Sequence, residues 1–104
     1  MKTKILEILD RIKNKHLNDP TIPNDSEEIT GLLLNDINNA IKVIDELDEK
    51  SLEWISVDFE ELSYKFQSKR FVDSLKNLLI KYPNNPYFKE DVPKAIEAYY
   101  PENE

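Results

Sequence analysis

Ser51-Leu52-Glu53-Trp54-Ile55-Ser56-Val57-Asp58-Phe59-Glu60-Glu61-Leu62-Ser63-Tyr64-Lys65-Phe66 carries apolar side chains at Leu52, Ile55, Phe59, Leu62 and Phe66. The intervals alternate between three and four residues. That repeat aligns side chains along one face of an α-helix, and a strand with its period of two cannot reproduce it. Glu53, Glu60 and Glu61 fall off the stripe, so one side of the segment reads as core and the other as solvent-facing.

The same pattern recurs on both sides. Ile5, Ile8, Leu9, Ile12 and His16 mark a first helix over residues 2–17. Ile29, Leu33, Ile37, Ala40, Ile41, Ile44 and Leu47 mark a second over 26–48, and the quoted stretch gives a third over 52–67. Phe71, Val72, Leu75, Leu78, Leu79 and Tyr82 mark a fourth over 69–82, ended by Pro83. Val92, Ala95, Ile96 and Tyr99 mark a short last helix over 92–100, with Tyr87 and Phe88 lying across the bundle ahead of it. Asp25 or Ser26, Ser51, Ser68 and Asp91 stand where N-caps are expected. The segments Asn18–Asn24 and Pro83–Pro86, each with two prolines, read as loops. Gly31 interrupts the second helix at a cost of about 1 kcal/mol relative to Ala, which suggests close packing or a bend there. No Asn-Gly or Asp-Gly hairpin signal occurs. The expectation is an all-α chain, a single-domain bundle of four to five antiparallel helices over residues 1–104.

Composition narrows the function. The 104 residues suffice for one core, and hydrophobic residues at 39% with charged residues at 34% fit a folded domain with a polar surface. The absence of cysteine removes disulfides and thiolate chemistry. Glu7 and Asp10 interrupt the amino-terminal segment, and the longest purely apolar run is Leu32-Leu33-Leu34, so neither a signal peptide nor a membrane span is expected. A cytoplasmic location follows as the default. A net charge of −7 argues against nucleic acid and favours a basic protein partner. His16 is the only histidine, and no nucleophile, phosphate-loop, zinc or calcium-loop motif accompanies it. The chain is therefore expected to catalyse no reaction and to need no metal or cofactor.

Acidity is concentrated. Asp45, Glu46, Asp48, Glu49, Glu53, Asp58, Glu60 and Glu61 stand against Lys50 alone, so this stretch holds −7 and the rest of the chain sums to zero. Three readings compete: a solvated helix face supported by the helical pairs Glu46–Lys50 and Glu61–Lys65, a binding surface for a basic partner, or a metal site made from these carboxylates, which the lack of a calcium-loop pattern disfavours. Trp54 and Tyr64 lie beside the acidic positions, where they either widen the core or anchor a partner. The candidate contact set is Asp45, Glu46, Glu49, Glu53, Trp54, Asp58, Glu60, Glu61 and Tyr64. Lysines and arginines in the first and fourth helices are explained most simply by pairing with the acidic stretch inside the molecule.

From Leu47 to Phe71, the string Leu-Asp-Glu-Lys-Ser-Leu-Glu-Trp-Ile-Ser-Val-Asp-Phe-Glu-Glu-Leu-Ser-Tyr-Lys-Phe-Gln-Ser-Lys-Arg-Phe, followed by Leu75, Leu78, Leu79 and Lys81-Tyr82-Pro83, resembles the small helical immunity proteins of bacterial contact-dependent inhibition and bacteriocin systems. The resemblance spans about a third of the chain. It implies a cytoplasmic inhibitor, expected to be monomeric, that binds one cognate toxin domain, often a nuclease, and blocks it. A basic substrate cleft on such a toxin would match an acidic, aromatic-studded inhibitor face. Two further readings stay open from the residues alone: a helical adaptor or regulatory subunit of a larger assembly, and a small carboxylate-based enzyme.

Overall fold

In the computed structural model, which describes residues 2–15 and 19–100, the apolar stripes converge on one core. The elements are α1 (Lys2–Lys13), α2 (Ile22–Leu34), α3 (Ile37–Glu46), α4 (Glu49–Ile55), a 3-10 turn (Ser56–Asp58), α5 (Phe59–Phe66), α6 (Lys69–Lys81) and α7 (Pro86–Glu97). The described chain is all-helical, and its principal extents are 42 × 30 × 22 Å. Phe59, Phe71 and Phe88 are the largest fully buried side chains. Each contributes on the order of 1.5–3 kcal/mol through removal of its ring from water. Phe88 stacks in tilted contact with Phe59 at 6.4 Å and Tyr82 at 5.8 Å, tying α7 to α5 and to the end of α6.

Helical segments are more numerous than the apolar periodicity predicts, because two long stripes run through helix breaks without losing phase. The expected helix over 26–48 is two helices. Asp36 leaves helical geometry and accepts hydrogen bonds from the Asn38 and Asn39 amides, which starts α3 afresh. Ile29, Leu33, Ala40 and Ile44 are buried on both sides of that break. The helix expected over 52–67 is likewise α4, the 3-10 turn and α5, with Ile55 and Phe59 buried at either end of the turn.

Several caps differ from expectation. Helix α2 begins at Ile22, ahead of Asp25 and Ser26, because Pro23 sits in the first turn, where its missing N–H costs nothing. Asp48, not Ser51, caps α4; its carboxylate accepts from the Ser51 amide at 3.2 Å and from the Ser51 hydroxyl at 2.7 Å. Asn85, not Asp91, caps α7, which therefore takes in Tyr87 and Phe88 and carries Pro93 inside it. Phe88 is fully buried in its first turn, whereas Tyr87 faces outward. Helix α1 ends at Lys13, and His16 lies outside the described residues. A side chain built on Gly31 would meet nothing within 4 Å, so close packing does not explain this glycine.

Polar side chains fix the corners. Asp25, on the buried side of α2, accepts from Arg11 Nη2 at 2.9 Å and from Lys15 Nζ, clamping α1 to α2. Gln67 closes α5 in the left-handed region at φ 46°. Its side-chain amide donates to the Ala98 carbonyl at 2.7 Å and accepts from the Tyr100 amide at 2.9 Å. Nearby, the Ser63 hydroxyl donates to the Ala95 carbonyl at 2.6 Å. These two residues of α5 and its cap hold carbonyls at the end of α7 that the helix itself leaves open. Among the described residues no buried side-chain nitrogen or oxygen lacks a partner.

Candidate partner-binding surface

The candidate acidic residues come from four adjoining elements, and the structure distributes them over separate concavities. Asp45 and Glu46 end α3, and Glu46 lines a hollow of about 250 Å³ with Lys2, Thr3 and Lys42. Glu53 and Trp54 line a cleft of about 380 Å³ together with Lys50 and Tyr87. Asp58 and Glu61 line a groove of about 410 Å³ against α2, shared with Thr30, Gly31 and Lys65. Glu60 projects toward α7, where its charge, after those of Glu90 and Asp91, helps raise the Lys94 pKa.

Trp54 and Tyr64 are both partly exposed, at 41% and 59%, so neither is absorbed by the core. Val57 and Tyr87 add apolar surface at 72% and 53% exposure. Their positions explain why sequence reasoning passed them over. Val57 sits in the 3-10 turn, out of register with the helical stripe, and Tyr87 reaches this surface only because Asn85 starts α7 early.

Asn85 organises the middle of the surface. Its buried side chain has Oδ1 accepting from the Tyr87 amide at 2.9 Å and the Phe88 amide at 3.2 Å. Its Nδ2 donates to Glu49 Oε2 at 2.8 Å and to Glu53 Oε2 at 3.2 Å. The two carboxylates are one helical turn apart on α4, where like charges repel, and a single amide group bridges them. The Asn85-Pro86 pair, an N-cap residue before a first-turn proline, was the sequence signal available for this residue.

Charge on the surface is largely uncompensated. Of the eight carboxylates between Asp45 and Glu61, only Glu61 forms an ion pair among the described residues, with Lys65 at 3.6 Å. The expected Glu46–Lys50 pair does not form, since α3 stops at Glu46 and the chain bends through Leu47-Asp48 before α4 begins. Complementation of the acidic stretch by the other basic residues is limited among the described residues: Lys65 pairs with Glu61, and Lys13 of α1 acts on Asp48 through its charge without an ion pair. Arg11 and Lys15 pair with Asp25, and Arg70 donates to Asn38 Oδ1 at 2.8 Å.

Two carboxyls here depart from ordinary titration. Burial pushes Asp58 up, opposed by the Thr30 hydroxyl, which donates to it at 2.9 Å, and assisted by Glu61. The Ser51 hydroxyl holds Asp48 below the usual carboxylate range. Among the described residues no three or more His, Cys, Asp or Glu side chains group in a way that could hold a metal ion. No described helix is long and apolar enough to cross a membrane. No protein-family profile, curated protein or solved structure matches this chain.

Proposed function

We propose that this chain is an immunity-type inhibitor, a cytoplasmic monomer that binds one cognate bacterial toxin domain with a basic surface and neutralises it. The observation that carries this reading is the scarcity of internal ion pairs in the acidic stretch, where only Glu61 of the eight carboxylates pairs among the described residues, together with the exposure of Trp54, Val57, Tyr64 and Tyr87. Self-repulsion among unpaired carboxylates is relieved by a basic partner, and neighbouring aromatics supply the desolvated contact area that anchors an interface. A nuclease domain, whose substrate is a polyanion, is the kind of toxin that offers such a surface. Resemblance of residues 47–83 to small helical immunity proteins points the same way.

The test is co-expression with the C-terminal domain of the protein encoded immediately upstream. Relief of growth arrest and a stable one-to-one complex are expected. An upstream product without toxicity, or toxicity unaffected by this chain, would overturn the proposal. Reversing Glu53, Glu60 and Glu61 to Lys is expected to slow association with that domain at low salt while leaving the circular dichroism spectrum unchanged.

One observation favours a second reading, a carboxylate-based enzyme: Asp58 holds its proton above the ordinary range at the edge of a groove that also contains Glu61. Raised carboxyls are found at catalytic sites as well as in structural networks. Asp58 is already engaged by the Thr30 hydroxyl, a structural partnership that favours binding over catalysis.

A further inference from the structure

The cleft between α4 and the start of α7 is lined by two exposed aromatic residues, Trp54 and Tyr87, together with Glu53 and Lys50. We infer that this cleft receives an arginine side chain from a basic partner protein. The inference rests on the proposed function in taking the partner to be basic, and adds the place and chemistry of one contact.

Three features favour a guanidinium. Aromatic faces attract cations, and a planar cation stacks on them while keeping its charge at any physiological pH. The Glu53 carboxylate is fixed in place: Asn85 Nδ2 donates to it at 3.2 Å and to neighbouring Glu49 at 2.8 Å, one hydrogen for each. A carboxylate has about four acceptor sites, so each keeps lone pairs for the paired N–H groups of an incoming guanidinium. Finally, a cleft of about 380 Å³ is at the small end of ligand sites and suits one side chain with its flanking backbone. Lys50 is the opposing element. It lines the same cleft and makes no ion pair among the described residues, so it lowers the affinity of the site for a cation.

The probe is the capped tripeptide acetyl-Gly-Arg-Gly-amide, titrated into the full chain and followed by nitrogen-proton NMR. Trp54 is the only tryptophan, so its indole N–H is a single, assignable reporter inside the cleft. The arginine peptide is expected to shift the Trp54 indole, the Tyr87 amide and the Asn85 side-chain amide together, with a Kd on the order of millimolar. The matching lysine peptide should bind more weakly, and the glutamine peptide should leave all three signals in place. Glu53→Gln, which can still accept from Asn85, and Tyr87→Ala should each weaken the arginine peptide at least about fivefold; Lys50→Ala should tighten it about twofold at low salt.

Equal shifts from the glutamine peptide would overturn the inference. So would shifts spread over remote acids such as Asp36 and Glu90, or an unmoved Trp54 indole. The growth assay separates this failure from failure of the proposed function. Toxin relief with no arginine seating removes the cleft contact alone. Arginine seating without toxin relief removes the immunity reading and leaves the cleft as an arginine site for another basic partner.

Discussion

Asn85 joins two jobs in one side chain, and replacing it separates them. Asn85→Ala removes the acceptor for the Tyr87 and Phe88 amides, a lost N-cap worth about 1 kcal/mol. It also removes both donors that bridge Glu49 and Glu53. Hydrogen bonds to charged groups are worth about 1.5–3 kcal/mol when buried. Because Glu49 and Glu53 are only partly buried, about 0.5–1 kcal/mol each is the fair figure after solvent screening. The expected total is about 2–3 kcal/mol, or a fall in Tm of about 10–20 °C for a domain of this size. Asn85→Asp keeps the cap and aims a third carboxylate at the other two. Its expected loss at neutral pH is about 2 kcal/mol. The introduced carboxyl is raised by its neighbours in the folded state, so the fold binds more protons than the unfolded chain there and the variant gains stability as pH falls. Adding Glu49→Gln and Glu53→Gln to Asn85→Asp restores donors facing an acceptor and should recover most of the loss. Urea denaturation followed by circular dichroism measures all four proteins. An Asn85→Ala variant within about 0.5 kcal/mol of wild type, or a triple variant with no recovery, would refute this account of the corner.

Gly31→Ala should raise stability by about 0.5–1 kcal/mol, since the position is an exposed helix interior with open space around the added methyl; an unchanged urea midpoint would contradict it. Asp25→Asn should lower the urea midpoint at neutral pH. Lys15 first and Arg11 second hold this carboxyl below the usual range, so its contribution is present above the unfolded value and lost as pH falls through the folded one, and the gap between the two proteins should close in acid. Asp58→Asn should behave in the opposite sense. Its raised folded pKa makes the charged form costly at neutral pH, so the amide, which can still accept from Thr30, should stabilise there, and the gain should vanish as pH falls through that raised value.

Apolar periodicity located the core almost residue by residue: Leu52, Ile55, Phe59 and Leu62 are all buried, as are Phe71, Val72, Leu75 and Leu78. It failed to locate helix ends, because a stripe that stays in phase through Asn35-Asp36 or Ser56–Asp58 leaves no trace in the apolar positions. Side-chain capping by Asp36, Asp48 and Asn85 set the starts of α3, α4 and α7, whereas the break at Ser56–Asp58 carries no side-chain cap; of the three caps, Asn85 had the most readable signature, in the proline that follows it. The acidic stretch was legible as charge but not as shape. The bend at Leu47-Asp48 carries Glu46 away from Glu53, and the turn at Ser56–Asp58 sends Asp58 toward α2. Tyr87 belongs to this surface through a contact spanning most of the second half of the chain, and no local pattern records such a contact. Cations on α1 and α6 invited pairing with the acids, yet Asp25 and Asn38 took Arg11, Lys15 and Arg70 instead.

The packing of α5 against α7 also bears on synthesis. On α5, Phe59 meets Phe88 and the Ser63 hydroxyl meets the Ala95 carbonyl of α7, and every α7 residue is synthesised after α6. Until residues beyond Asn85 are available, a nascent chain leaves Phe59 and the Ser63 hydroxyl without their α7 partners, and Gln67 keeps only its bond to the Tyr64 carbonyl. Translation therefore passes through an interval in which helices α1 to α6 exist in sequence but lack their last cover, and in which hydrophobic surface is open to chaperones or to neighbouring chains. A nascent chain stalled before Pro86 should remain protease-sensitive, and one extended through Glu97 outside the ribosome should acquire resistance in a single step.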